Sequence, residues 1–350
     1  MRRPLPLVCA LALSTGALLA LAAPSLAAFP GRNGRIAVSY FDDPGGTGSF
    51  PAREGIGLLR ASRGPSQKRA DVTGCTRARR GDGCPLSYST PAFSPDGRWI
   101  AFDAGRRIAV VRLNGTGRRL LPAAGRDAAN PTWSPGGGRI LFDSARKDNH
   151  GCPRIVACAG TRDLYVVAAS GSGRVRRIVR DAANPSWSVR GLLAFERPSG
   201  TTWRYRARTW VSRTSGARAH VVSRGAGWGP DFSPAGLRLV YYSLPVARLA
   251  VVGADGQGTR RLAAATESAY EPAFSPDGRL LAWPGLNPRP VQGGVTTSAG
   301  IYVSRADGTH AHQIARDRSG PRGSYSFSSY SPSWQPLPPF RDPPCRGFCG

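Results

Sequence analysis

Residues 91–98 read PAFSPDGR, and residues 272–279 repeat those eight letters. Self-similarity at a fixed period constrains a fold more than composition does, because each unit must bury its apolar surface against a copy of itself. Related segments begin at Pro131 (PTWSPGGGRILF), Pro185 (PSWSVRGLLAF), Pro230 (PDFSPAGLRLVYY) and Pro332 (PSWQP). A second set of short apolar runs follows at a distance: Ile56-Gly-Leu-Leu, Ile108-Ala-Val-Val, Leu164-Tyr-Val-Val, Trp210-Val-Ser, Leu249-Ala-Val-Val and Ile301-Tyr-Val-Ser. Most of these enter a Gly-containing turn (Asn114-Gly115, Asp255-Gly256, Asp307-Gly308) and then a short Arg/Leu run.

One unit therefore reads as four short antiparallel strands, A to D. Strand A carries Pro-x-aromatic. Ser-Pro-Asp-Gly is a tight turn in which Pro95 presets φ and Gly97 is free to take a positive value. Strand B is the Trp99–Phe102 run, strand C the Ile108 run, and Asn-Gly or Asp-Gly is expected to be a two-residue hairpin turn into strand D. A sheet of this size cannot cover both its faces, so units stack around a ring, the pattern of a β-propeller. The expected fold is all-β: a six-bladed β-propeller of four-stranded antiparallel blades. The ends of the repeat array set the closure. Asn33-Gly-Arg-Ile-Ala-Val is a strand B with no strand A before it, and Pro332-Ser-Trp334 is a strand A with no strand B after it, so the closing blade is shared between the N- and C-termini.

Three segments follow: a signal peptide over 1–28, the propeller over 29–336, and a Pro-rich, Cys-containing tail over 337–350. Arg2 and Arg3 precede an apolar run and a small-residue stretch ending at Ala27-Ala28, the layout of a cleaved secretory signal. The run is broken by Pro4, Pro6 and Ser14-Thr-Gly16, which is unsuited to a retained anchor, and no later stretch is long and apolar enough to cross a bilayer. The expected location is secreted, periplasmic or cell-surface. Six cysteines follow the signal in three local pairs: Cys75 with Cys84, Cys152 with Cys158, and Cys345 with Cys349. Local disulfides between them are the simplest of the connectivities an exported chain allows.

The repeat Pro-x-Trp/Phe-Ser-Pro-Asp-Gly-Arg-x-Ile-Ala-Phe, followed by an Ile-Tyr-Val-like strand and an Ala-Asp-Gly-Thr turn, resembles the TolB-type propellers, a WD40-like repeat family. The resemblance covers residues 33 to 336. It implies the fold, whereas propellers serve as binding modules, scaffolds and enzymes alike. TolB proper also has an α/β domain in front of its propeller, and here only a few residues separate the signal from the first strand.

Antiparallel order places the tight SPDG and DG turns at one end of every blade. The insertions, over 42–55, 71–90, 144–162, 197–208, 284–300 and 315–331, gather at the other, where function on a rigid scaffold usually lies. Strand A is innermost, so the residues before its Pro stand where that rim meets the central channel. Candidate ligand-binding residues at this mouth are Asn130, Asn184, Trp228, Tyr270, Glu271 and Tyr330, with His150, Trp203 and Tyr205 as an outer wall. Amides, aromatics and one carboxylate suit a polar ligand such as a sugar or an extended peptide; the plainer reading is that Asp127, Asp181 and the asparagines satisfy turn backbone. Trp133, Trp187 and Trp334 belong to blade packing.

No catalytic residue is assigned. There is no G-x-S-x-G elbow, P-loop or EF-hand string, His310-x-His312 reads as solvated turn, and neither a metal nor a cofactor is implied. The net charge of +27, carried by 48 Lys plus Arg of which only Lys68 and Lys147 are lysine, reflects either codon bias or attraction to polyanions outside the cell. Scattered arginines do not make a nucleic-acid surface. The reading is a monomeric, exported, non-enzymatic binding or scaffold propeller whose partner is a protein or a polyanionic envelope polymer. The alternative is a channel hydrolase or lyase using Glu271 with Asp127 or Asp181 as acid and base.

Overall fold

The computed structural model describes residues 29–42, 53–64, 70–73, 88–122, 126–145, 162–198, 207–244, 247–263, 271–291, 294–316 and 327–338. These form six four-stranded antiparallel sheets arranged as a propeller. Blade one holds β1 (Arg32–Asp42), β2 (Arg53–Leu59) and β3 (Ala70–Asp71). Blade two is β4 (Tyr88–Phe93), β5 (Trp99–Ala104), β6 (Ile108–Arg112) and β7 (Arg119–Leu120). Blade three is β8 (Arg126–Trp133), β9 (Arg139–Ala145), β10 (Arg162–Ala168) and β11 (Arg176–Val179). Blade four is β12 (Ala183–Trp187), β13 (Leu192–Pro198), β14 (Ala207–Arg213) and β15 (His220–Val221). Blade five is β16 (Gly227–Phe232), β17 (Arg238–Ser243), β18 (Arg248–Gly253) and β19 (Arg260–Arg261). Blade six is β20 (Ala273–Phe274), β21 (Leu280–Val291), β22 (Gly294–Arg305) and β23 (His312–Arg316). The last strand, β24 (Phe327–Leu337), returns to blade one and pairs with β1, Trp334 opposite Ile36, so both termini of the array close the ring.

Strands B and C are near-continuous apolar runs because each blade is covered on both faces. In β6 the residues Ile108, Ala109, Val110 and Val111 are all buried. Each of the six seams has its own cluster. Phe93 and Ile100 meet Ile56 and Leu58 between blades one and two, and Trp334 meets Ile301 and Ile314 where blade six meets blade one. Trp133 packs into the seam of blades two and three and donates its Nε1–H to the Ala92 carbonyl 3.0 Å away. The tight A–B turn repeats through hydroxyl bonding: Gly97 N–H donates to the Ser94 carbonyl at 2.9 Å, and Ser94 Oγ accepts from Trp99 N–H at 2.9 Å.

Two connections differ from the sequence reading. The C–D turn is a three-residue loop. Gly115 N–H donates to Arg112 O at 2.8 Å, Arg112 N–H donates to Thr116 O at 2.9 Å, and only the glycine of the Asn114-Gly115 pair has positive φ, at 83°. This is a type I turn followed by a left-handed glycine. Residues 284–300, expected as an insertion loop, instead extend the β21–β22 hairpin, with register running unbroken from Leu280 opposite Arg305 to Val291 opposite Gly294.

Candidate functional site

Strand A is interrupted at the same place in every blade. The residue before its Pro has left-handed backbone in all six: Thr90 (φ 47°), Asn130 (52°), Asn184 (48°), Gly229 (57°), Glu271 (44°) and Ser331 (50°). Pairing with strand B slips there, between Ser89 and Ala92, Ala129 and Thr132, Ala183 and Ser186, and Trp228 and Asp231. Proline has no N–H to give to the ladder, so the strand bulges around it. A residue preceding proline is normally pushed toward extended backbone. Asn and Gly tolerate the left-handed region, whereas Thr90, Glu271 and Ser331 hold it under strain.

These six bulges surround a cavity of about 180 Å³ along the ring axis, lined by strand A from every blade. Phe29 also lines it, and Gly31 N–H donates to the Pro276 carbonyl in a tight A–B turn at 3.3 Å, which places Phe29 at the tight-turn end. The axis is laced by strand-A side chains. Phe232 N–H donates to Ser186 Oγ (3.3 Å), Phe274 N–H to Asp231 Oδ2 (2.9 Å) and Phe93 N–H to Ser333 Oγ (3.1 Å). Burial pushes the Asp231 carboxyl up to about 7, against the opposing effect of its hydrogen bonds from Phe274, Ser186 and Phe232.

Behind the bulges stand carboxylates that the sequence reading did not single out. The strand-B position facing the bulge is Asp103 in blade two, Asp143 in blade three and Glu196 in blade four. Asp143 is 0 % exposed. Its Oδ2 accepts from Asn130 Nδ2 and from Asn184 N–H, both at 2.8 Å, while Oδ1 pairs with the Arg162 guanidinium, Nε at 2.7 Å. Glu196 Oε1 repeats the arrangement one blade on, accepting from Asn184 Nδ2 and Gly229 N–H at 2.7 Å each. A continuous chain Asn130–Asp143–Asn184–Glu196–Gly229 thus spans blades three to five. Asp103 accepts from Ser89 Oγ and Arg106 N–H, and burial pushes it up to about 6, with the Asp143 charge adding and Arg162 opposing. Glu271 accepts from Ser331 Oγ across the blade six to blade one seam. Burial raises its carboxyl, the Ser331 bond opposes this, and the charge of Asp143 raises it further.

The carboxylates fix which way the amides face. An ionised carboxylate only accepts, so Asn130 and Asn184 must turn their NH₂ groups to it. Their Oδ1 atoms, without a hydrogen-bond partner among the described residues, are left as acceptors on side chains that line the cavity.

Of the six expected mouth residues, the structure brings Asn130, Asn184 and Glu271 together around one cavity. Trp228 lies one residue away but packs on Tyr242, ring centroids 6.4 Å apart, in the seam of blades five and six. Tyr330 belongs to β24, opposite Ser39, and its side chain lies outside the described residues, as does all of Tyr270. The three expected disulfides, Cys75 with Cys84, Cys152 with Cys158 and Cys345 with Cys349, fall on residues outside the described ones at all six positions. The signal segment, His150, Trp203 and Tyr205 also lie outside them. Asp127 pairs with Arg106 at 2.9 Å. Among the described residues no group of three or more His, Cys, Asp or Glu could hold a metal ion, and no helix is long and apolar enough to cross a membrane. The signal for the missed acids was in the repeat itself, as Phe102-Asp103, Phe142-Asp143 and Phe195-Glu196 at the end of strand B.

No family model and no curated protein sequence matches this chain. Solved structures do. TolB from Acinetobacter baumannii superposes with a TM-score of 0.62 at 14 % identity, over 89 % of this chain and 69 % of that one. A putative TolB from Agrobacterium tumefaciens gives 0.55 at 13 % identity, over 87 % and 99 %. Hydrazine synthase of Kuenenia stuttgartiensis gives 0.60 at 14 % identity, over 90 % of this chain and 48 % of that one. The fold is a TolB-type propeller. At these identities the likeness describes architecture, which hosts unrelated functions.

Proposed function

We propose that this chain is an exported, non-enzymatic binding propeller that grips its partner at the bulged mouth of the channel, and that the group entering the mouth is cationic or otherwise rich in hydrogen-bond donors. The observation that carries this is the engagement of the Asn130 and Asn184 NH₂ groups by Asp143 and Glu196, which leaves the amide oxygens as acceptors on side chains that line the cavity. Acceptor oxygens backed by buried carboxylates attract ammonium, guanidinium or clustered hydroxyl groups and repel anions. Strained residues at three of the six bulges fit a preorganised rim. A polyanionic polymer does not suit this end, so the partner proposed here is a protein segment or amino-bearing glycan of the cell envelope. Export rests on the signal-like first 28 residues.

A panel of basic peptides, amino-sugar glycans and acidic polymers, titrated by calorimetry at low and high salt, tests the reading. Asn130→Leu with Asn184→Leu should weaken binding of the basic members by about tenfold or more, the loss of two hydrogen bonds to a charged group. Unchanged affinity, or preference for the acidic polymers at the mouth, overturns it. The enzymatic alternative keeps one supporting observation, the raised Glu271 carboxyl in a cleft. Turnover of an ester, lactone or glycan that Glu271→Gln abolishes would replace the binding reading.

A further inference from the structure

At the tight-turn end, the seam of blades five and six gathers four arginines around one cavity. In two seams a strand-D side chain crosses to the next blade and donates to the carbonyl just after its strand C. Arg119 Nη2 reaches Ala169 O at 2.8 Å, and His220 Nε2 contacts Ala254 O at 3.0 Å. The equivalent pair between blades five and six is Arg260 and Ala306, and here no such bond forms. Both residues line an open cavity of about 540 Å³ together with Arg238, Arg279, Arg305 and Asp307.

The first residue of strand B differs between blades two and five. In blade two the first residue of strand B is Trp99, and the Arg119 and Arg112 guanidiniums lie over its ring at 4.8 and 5.0 Å. In blade five that residue is Arg238, a like charge where the aromatic platform would stand. Arg279 from the A–B turn of blade six and Arg305 from the end of β22 complete the group. None of the four guanidiniums has a hydrogen bond or ion pair to another side chain among the described residues. The one carboxylate at the rim, Asp307, is engaged by its own turn, accepting from Thr309 N–H at 2.8 Å and Thr309 Oγ1 at 2.7 Å. Those bonds, then the charges of Arg305 and Arg260, hold its carboxyl below the usual range.

We propose that this seam is an anion site for a ligand carrying at least two phosphoryl groups. Guanidinium forks match phosphate oxygens two bonds at a time. Four of them against one engaged carboxylate call for a multiply charged partner, and the volume is that of a small-molecule pocket. The site lies at the end of the ring opposite the bulged mouth and is independent of what the mouth binds. It gives the basic charge a specific place to act, while the mouth takes the donor-rich group.

The test is calorimetric titration of the full chain with pyrophosphate, using inorganic phosphate and acetate as comparisons. Pyrophosphate should bind more tightly than phosphate, acetate should not bind, and affinity should fall steeply between roughly 50 and 500 mM salt. Arg260→Gln with Arg305→Gln should weaken pyrophosphate binding by about tenfold or more. Arg174→Gln with Arg176→Gln, the same charge removed elsewhere on the protein, should leave it within about twofold. Equal losses in the two double variants would reduce the effect to diffuse charge and overturn the site, as would absence of pyrophosphate binding at low salt. Arg238→Gln with Arg279→Gln is a second pair against misfolding of the first, and unchanged binding in it also overturns the site. Displacement of pyrophosphate by poly(glycerol phosphate) assigns the phosphate to a polymer, and displacement by phosphatidylglycerol vesicles assigns it to lipid headgroups; either supports the site.

Discussion

Thr90→Asn transplants into blade two the amide–carboxylate bond that blades three and four already have. Thr90 is a β-branched residue at φ 47°, followed by proline, and its Oγ1 is buried without a hydrogen-bond partner. Asn130 and Asn184, at the same place, each donate to the strand-B acid of their own blade. The introduced asparagine would have Asp103 within the same reach. The left-handed strain relieved is about 1–2 kcal/mol, and the orphaned hydroxyl costs about 1–3 kcal/mol. With a new bond to a charged group set against side-chain ordering, a net gain of about 2 kcal/mol is expected. By the usual scaling for larger domains that raises the melting temperature by about 5 °C. Urea and thermal unfolding at pH 7 and pH 4 provide the assay. Because Asp103 is raised to about 6 in the folded protein, wild type loses stability as pH rises from about 4 to 6. Donation from the new amide lowers that value, so the gain should be larger at pH 7 than at pH 4. Thr90→Gly, which relieves strain without adding a donor, should gain less. A variant no more stable than wild type, or an equal gain at both pH values, refutes the reasoning.

The remaining expectations concern the core of the ring. The Asp231 carboxyl is desolvated and raised to about 7, so the folded state holds a proton that the unfolded chain releases, and stability should decline from about pH 4 to pH 7 and level off above. Asp231→Asn keeps an oxygen for the Phe274 N–H and turns its NH₂ toward Ser186 Oγ, which can accept instead of donate. It flattens that profile in denaturant titrations and should be the more stable protein at pH 8 by up to roughly 3–4 kcal/mol. Arg162→Met leaves the Asp143 carboxylate buried without its cation and should cost about 3–5 kcal/mol in urea unfolding at pH 7. Gly97→Ala puts a Cβ against the Pro336 carbonyl at φ 66°, where the A–B turn of blade two meets the closing strand. It should lower unfolding stability in urea by more than about 1 kcal/mol.

Blade number and closure were legible because the turn needs the same residues each time. Ser94, Pro95 and Gly97 all serve one local geometry, and local geometry is what sequence spells. The β21–β22 hairpin was hidden by Pro284, Pro288 and Pro290, which read as loop. In the structure they share one parity along β21, so the missing donors all fall on the side turned away from β22, where a strand edge tolerates proline. At the site, the positions preceding each Pro were visible, but their left-handed backbone and strain were not, because the bulge arises from pairing with strand B. Asp103, Asp143 and Glu196 looked like ordinary strand ends. Their role emerges only where neighbouring blades meet, as when Asn184 of blade four donates its N–H to Asp143 of blade three. Trp228 shows the opposite error: one residue of register turns a side chain from the channel into the seam.

The two proposed sites lie at opposite ends of the ring, amide acceptors at the bulged mouth and guanidiniums at the blade five to six seam. One crystal grown with both arginine amide and pyrophosphate tests this most directly. The expected result is the guanidinium or ammonium at the mouth, within hydrogen-bond distance of the Asn130 and Asn184 Oδ1 atoms, and pyrophosphate among Arg238, Arg260, Arg279 and Arg305. Pyrophosphate in the mouth, or a mouth holding neither ion while both are bound elsewhere, would contradict it.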